Sequence, residues 1–229
     1  MHLAANSGYF IGCLLLSIPY FCIFLKRKDL RKEMLIVSAI LLPFAFLSPF
    51  YIPEYWNPPY IFGYLLPFKI GIEDFIFMFV IGGVASVIYE FISHRKEVKI
   101  GKKKRRILWT PFILFSLIIL VGEYIFPNKS IYTLITASII IALFMVWKRG
   151  DLMTQSLTAG FLYMLTYFLL FSFFTKLLPT YIATIYTRKN LLGVYVFTIP
   201  IEELLFAFSV GAGWSIAYEY MFGYKTKSK

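Results

Sequence analysis

Charge and sulfur are both scarce in this 229-residue chain, and the missing features remove several classes of function. Charged residues make up 15% and hydrophobic residues 59%. That leaves too little charge to cover a soluble surface, and several apolar runs reach about twenty residues, the length of a membrane span. Only two cysteines occur, Cys13 and Cys22, both in the first apolar run, so neither a disulfide framework nor a metal site of known spacing is expected. The aspartate-rich cluster that would hold Mg²⁺ against a diphosphate is absent, which excludes prenyl transfer. There is no lysine between Lys189 and Lys225, which excludes a retinal Schiff base in the last span. The glycines are scattered rather than gathered after a strand, so no nucleotide or flavin cofactor is implied. The expected cofactor and metal content is none.

The charge that is present is lopsided, with 23 Lys and Arg against 12 Asp and Glu. The basic residues sit in short clusters between apolar runs, which is how membrane topology is written and not how a nucleic-acid surface is built. Seven spans are expected, near Tyr9 to Leu25, Met34 to Ile52, Ile70 to Ile92, Ile107 to Phe126, Ile131 to Trp147, Leu152 to Lys176 and Leu192 to Phe222. With seven, the clusters Lys26 to Lys32, Arg95 to Arg106, Lys148-Arg149 and Lys225 to Lys229 share one side. Positive loops face the cytoplasm, so the chain is expected in the cell membrane with its N-terminus outside and its C-terminus cytoplasmic. Met1 to Ser7 carry no Lys or Arg ahead of the first apolar run, which reads as a retained span and not a signal peptide.

An internal duplication organises these spans. A shift of 129 lays Gly71-Ile72-Glu73-Asp74 on Pro200-Ile201-Glu202-Glu203, and brings Phe77 onto Phe206, Gly82 onto Gly211, Ser86 onto Ser215 and Glu90 onto Glu219. A shift of 122 lays Lys26-Arg27-Lys28-Asp29 on Lys148-Arg149-Gly150-Asp151. The expected fold is therefore an all-α membrane protein of seven helices. Two parallel three-helix repeats, 1–93 and 131–229, are joined by a basic linker and connecting helix over 94–130. One extra crossing lets the second copy enter from the same side as the first, which relates the copies by a pseudo-twofold axis along the membrane normal. Asp29 and Asp151 are read as helix caps at topology turns. Glu90 and Glu219 are read as snorkelling or paired with nearby Lys or Arg, and the stripe of Gly82, Ser86 and their copies as packing.

Two adjacent carboxylates in each repeat, Glu73-Asp74 and Glu202-Glu203, are expensive in a membrane and mark a functional site. The alternative reading is that they cap helices after Gly71 and Pro200 and face water. Apolar Leu65 to Phe68 and Tyr195 to Phe197 extend outward beyond them and argue for a poorly hydrated site. An acid and a carboxylate walled by aromatic rings suit proton-initiated carbocation chemistry: one delivers a proton, ring faces stabilise the cation, and the other removes a proton. Phe77, Phe79, Phe206, Phe208 and Trp214, near the acids in sequence, are the candidate substrate contacts. A proton- or cation-coupled carrier of small solutes is the alternative from another class.

Pro200-x-Glu202-Glu203-x-x-Phe206, in the last span of a duplicated three-span unit, resembles the motif of the lycopene cyclase domain family. The resemblance covers nearly the whole chain and matches the family's fused two-repeat form. It implies a membrane-embedded enzyme, a lycopene β-cyclase, that closes linear carotenoid ends into β-ionone rings without net redox change. By the motif Glu202, Glu203 and Phe206 carry over directly. The first copy departs from it at Gly71 and Asp74 and keeps Glu73 and Phe77. The implied partners are a carotenoid, lycopene or a monocyclic intermediate, and membrane lipid; the oligomeric state is not indicated.

Overall fold

The computed structural model describes residues 7–65, 69–100, 109–127 and 129–228. Met1 to Asn6, the apolar Leu66-Pro67-Phe68 and most of the basic linker, 101–108, lie outside the described residues. The apolar runs become helices because in a membrane the backbone must satisfy its own polar groups. α1 spans Gly8–Lys26, α2 Arg31–Leu41, α3 Ile72–Ile92, α4 Thr110–Ile125, α5 Ser130–Lys148, α6 Met153–Leu177 and α7 Ile201–Trp214. α2 tightens into a 3₁₀ segment, Leu42–Leu47, and ends in a short turn of helix, Ser48–Tyr51; each piece starts with a proline in its first two positions, where the missing N–H is not needed. Among the described residues five segments are long and apolar enough to cross a membrane, with Arg31–Tyr51 counted as one, and α4 is shorter.

The last span differs from its expected form. Residues before Pro200 fold back as a small hairpin, β2 (Tyr195–Val196) on β3 (Ile199–Pro200), and helix begins only at Ile201. Pro200, with ψ 140°, is the extended cap from which the helix starts. The span also breaks at Ser215-Ile216 and resumes as α8, Ala217–Phe222, which stops at Gly223 in the left-handed conformation (φ 73°), the usual glycine stop.

The two copies pack alike. Gly82 faces the carbonyl of Val37 and the side chain of Leu41 on α2, and a Cβ there would come within 3.3 Å of that carbonyl. Its copy, Gly211, faces the Ala159 carbonyl and Tyr163 on α6, where a Cβ would approach to 2.8 Å. Both glycines let helix backbones close up, the usual means of association where lipid provides no hydrophobic drive. α3 and α7 meet at the centre, where the copied residues Phe77 and Phe206 stack at 6.4 Å and 16°.

Twofold symmetry is written most plainly at the basic end. The strand after α3, β1 (Arg95–Lys99), pairs antiparallel with the strand after α8, β4 (Tyr224–Ser228). Glu97 pairs with its own copy, Thr226, and Arg95↔Ser228 maps onto Lys99↔Tyr224, as a twofold through the ribbon requires. This ribbon is built from what the sequence marked only as linker and tail. Asp29 and Asp151 do not cap helices: neither following helix has a side-chain cap. Instead Asp29 holds Arg27 at 2.8 and 2.9 Å, and Asp151 holds Arg149 at 2.5 and 3.1 Å. The guanidiniums so aimed donate to the carbonyls of Glu90 and Arg95, and of Glu219 and Tyr224. Each arginine thus caps a helix C-terminus and ties it to the ribbon.

Candidate active site

α3 and α7 begin at the same end of the bundle, so their first turns bring both acid pairs there. None faces water: Glu73 and Glu202 are 0% exposed, Asp74 2% and Glu203 5%. The helix-capping reading holds for one of them in part, since Asp74 accepts the Gly71 N–H at 2.9 Å.

Within each pair the two acids part company, because successive helix residues point about 100° apart. Asp74 and Glu203, the second of each pair and copies of one another, line a single apolar cleft together with Phe77 and Phe206. The cleft measures about 970 Å³, counting the space at its open side. Glu203 accepts hydroxyl bonds from Tyr55 (2.6 Å), Tyr186 (2.7 Å) and Tyr167 (2.7 Å). Asp74 accepts from Tyr60 (2.7 Å) and Tyr9 (3.0 Å). Hydrogen bonds to a charged group contribute about 1.5–3 kcal/mol each, so the phenols offset much of the cost of burying these two carboxyls.

Glu73 and Glu202 do not line the cleft. They reach back to the loops before their helices: Glu73 Oε1 accepts the Ile61 N–H at 2.8 Å, and Glu202 Oε1 accepts the Leu192 N–H at 2.6 Å and the Tyr132 hydroxyl at 2.8 Å. The repeat is again visible, since each first acid anchors the loop that roofs its own helix. In both residues Oε2 is buried without a hydrogen-bond partner among the described residues.

Of the five candidate aromatics, Phe77 and Phe206 line the cleft and three lie elsewhere. Phe79 sits beside Tyr20 at 5.5 Å, Phe208 on Phe161 at 5.0 Å, and Trp214 between Phe44 and Phe115 at 6.0 and 5.5 Å. Two positions along a helix turn a side chain about 200° away, and eight positions carry it about 12 Å down the axis. Nearness in sequence therefore does not bring these three to the cleft. The residues it missed are four tyrosines on the acids, Tyr9, Tyr55, Tyr167 and Tyr186. They come from α1, the loop after α2, α6 and the loop before α7, and no local motif joins them to the acids. Trp56 completes the wall, its ring edge-on to Tyr9 at 4.6 Å. Cys13 also lines the cleft and carries a free thiol. Among the described residues no group of His, Cys, Asp and Glu is arranged to hold a metal ion.

Glu90 and Glu219 depart from the snorkelling expectation. Both are 0% exposed, and the Gln155 side-chain amide donates to Glu90 at 2.9 Å and Glu219 at 2.7 Å. The twofold explains it: α3 and α8 bring their copied glutamates toward the axis, away from the lipid.

Comparison with known proteins bears on this site. The profile of the family described as Lycopene cyclase matches the chain twice, over residues 6–92 and 129–221. The chain belongs to the lycopene cyclase family. The two matches cover α1 to α3 and α5 to α8 and leave α4 outside, so the repeat seen in the packing is a repeat of the family's own unit. Membership makes this a carotenoid cyclase, an enzyme with a carotenoid substrate, and does not favour the carrier reading. No curated protein and no solved structure matches the chain.

Proposed function

We propose that the protein is a lycopene β-cyclase that closes linear carotenoid ends by proton addition and removal at Asp74 and Glu203. A proton added to the terminal alkene creates a tertiary cation, the neighbouring alkene attacks it to close a six-membered ring, and loss of a proton sets the ring double bond. Atoms and electrons balance without a redox partner, and no cofactor is called for. The observation that carries this reading is the convergence of two copied carboxyls, Asp74 and Glu203, on one apolar cleft beside the stacked rings of Phe77 and Phe206. Positioned carboxyls of this kind contribute about 10²–10⁴-fold, and ring faces stabilise a passing cation without trapping it. Glu73 and Glu202 serve the same site as positioning residues, holding the loops that carry Tyr60 and the segment before β2.

The substrate is lycopene or its monocyclic intermediate, taken from membrane lipid. Residues 1–93 and 131–229 form the two repeats and 94–130 the connector. The chain sits in the cell membrane with the acid-pair end outward and the basic ribbon in the cytoplasm, a reading supported by the excess of Lys and Arg at that end. Expression in a lycopene-accumulating cell, followed by chromatography of the pigments, tests it. Products with β-ionone rings are expected. Lycopene left unchanged with the protein present in the membrane overturns the function, and rings of another double-bond position overturn the β assignment.

A further inference from the structure

The cleft does not end beneath the acids. Leu16, Tyr167 and Leu170 line both it and a second, narrower apolar depression that continues between α1 and α6 to Pro19 and Thr166, floored by Val84 of α3. The walls at Leu16, Pro19, Thr166 and Leu170 are half-buried, while neighbouring Leu14 and Leu165 are 52% and 53% exposed on the outer surface. A furrow thus runs from the acids down the seam of α1 and α6. From Gly8 to Pro19 it extends about 16 Å along the helix.

The pseudo-twofold should generate a matching furrow between α5 and α2. Leu16, Pro19 and Val84 have Ser138, Ile141 and Gly213 as their copies, and these three do line a depression. There, however, the facing wall is α4, which sets Pro111, Phe112 and Phe115 against them. Phe44, the copy of Thr166, packs on Phe112 at 5.1 Å and Phe115 at 4.9 Å. Higher up, the Ser130 hydroxyl donates to the Phe50 carbonyl at 2.6 Å and stitches α5 to the end of α2. Its copy on the other seam is Gly8, which has no side chain to do the same. The connecting helix has closed one of two equivalent seams.

We infer that the furrow between α1 and α6 is the single lateral path of the enzyme and holds the linear remainder of the carotenoid chain while one end lies at Asp74 and Glu203. The inference rests on the cyclase reading. Its occupant follows from continuity: a substrate whose reacting end fills the cleft has a long apolar chain still to house, and this furrow opens from the cleft toward lipid. The asymmetry distinguishes two copied seams, with α4 covering one and the other left open, so it decides from which side a chain enters.

The test compares two substrates in membranes from the expressing cell: a full-length linear carotenoid, and a short analogue with the same end group whose chain stops within the cleft. Thr166→Phe places in the open seam the residue found at its copy, and Pro19→Phe fills the facing wall. Each is expected to lower the ratio of long to short conversion about tenfold or more, the scale of shape discrimination in an apolar pocket. Thr166→Val, which keeps the volume, and Leu165→Phe, on the outer surface, should leave that ratio within about twofold. A ratio unchanged by both fillers overturns the path while the cyclase reading stands. Wild-type protein that converts neither substrate overturns both.

Discussion

Buried acids occur at both ends of this bundle, and the two ends use them differently. At one end Asp74 and Glu203 are surrounded by phenol donors and open onto a cleft. At the other, Glu33, Glu90 and Glu219 are all 0% exposed. Gln155, the copy of Glu33, joins Glu90 and Glu219 and also donates to the Ser215 carbonyl at 2.6 Å. Neither Glu90 nor Glu219 lines the cleft. An intramembrane acid is costly wherever it lies, so cost alone does not identify a catalytic group. Access does: a carboxyl that can meet a substrate atom needs both satisfied donors and open space beside it, and Asp74 and Glu203 have both. The basic end instead spends its polar groups on joining the two repeats, through Gln155, Arg27, Arg149 and the shared ribbon.

Substitutions at the two ends should separate these roles. The largest effect is expected for Glu203→Gln and Asp74→Asn, which keep the shape but remove titration. Cyclic product per unit of membrane-inserted protein should fall about 100-fold or more, measured by pigment chromatography against immunoblot. Phe206→Leu comes next: it removes one of the two stacked rings, weakening cation stabilisation by about 1–2 kcal/mol, a loss of roughly 5- to 30-fold. Glu202→Gln should cost less than Glu203→Gln, because an amide oxygen still accepts the Leu192 N–H and the carboxyl is not in the cleft. A larger loss at Glu202 than at Glu203 would transfer the proton chemistry to the first acid of each pair. Smallest of all in turnover is Gln155→Leu. Activity per folded molecule should stay within about twofold, while stability in detergent falls by about 1.5–3 kcal/mol from lost hydrogen bonds to carboxyls, read as a lower inactivation temperature. If Gln155→Leu abolishes turnover in protein of unchanged thermal stability, the contrast between the ends is wrong.

Much of the fold was legible along the chain because the membrane imposes a local rule. Each apolar run must satisfy its own backbone, so run length reports helices directly, and α1, α3, α5 and α6 fall close to their expected limits. The repeat was equally legible, since Glu73-Asp74 and Glu202-Glu203 recur at a fixed distance with their glycines and phenylalanines. The strand pairing of Arg95–Lys99 with Tyr224–Ser228 was not, because basic residues in a linker carry no sign of a partner 129 positions away. Nor was the pairing of Arg27 and Arg149 with helix-end carbonyls, which an aspartate two residues on disguised as a cap.

For the site, the sequence by itself determined that four carboxyls gather at one end, since two copies of one helix in parallel must begin on the same side. It put Phe77 and Phe206 one helical turn beyond Glu73 and Glu202, whereas the cleft joins each phenylalanine to the acid three residues before it, Asp74 and Glu203. Which acid of each pair meets the cleft was decided only by packing, since adjacent residues differ by 100° and nothing local fixes the rotation of a helix in its bundle. Of the five tyrosines on Asp74 and Glu203, only Tyr60 lies near its acid in sequence; Tyr9, Tyr55, Tyr167 and Tyr186 lie 17 to 148 positions from the carboxyl they hold and were likewise beyond sequence reading. The open and closed seams were decided in the same way. Two copies of a repeat are equal in sequence pattern, and only the landing place of α4 makes them different.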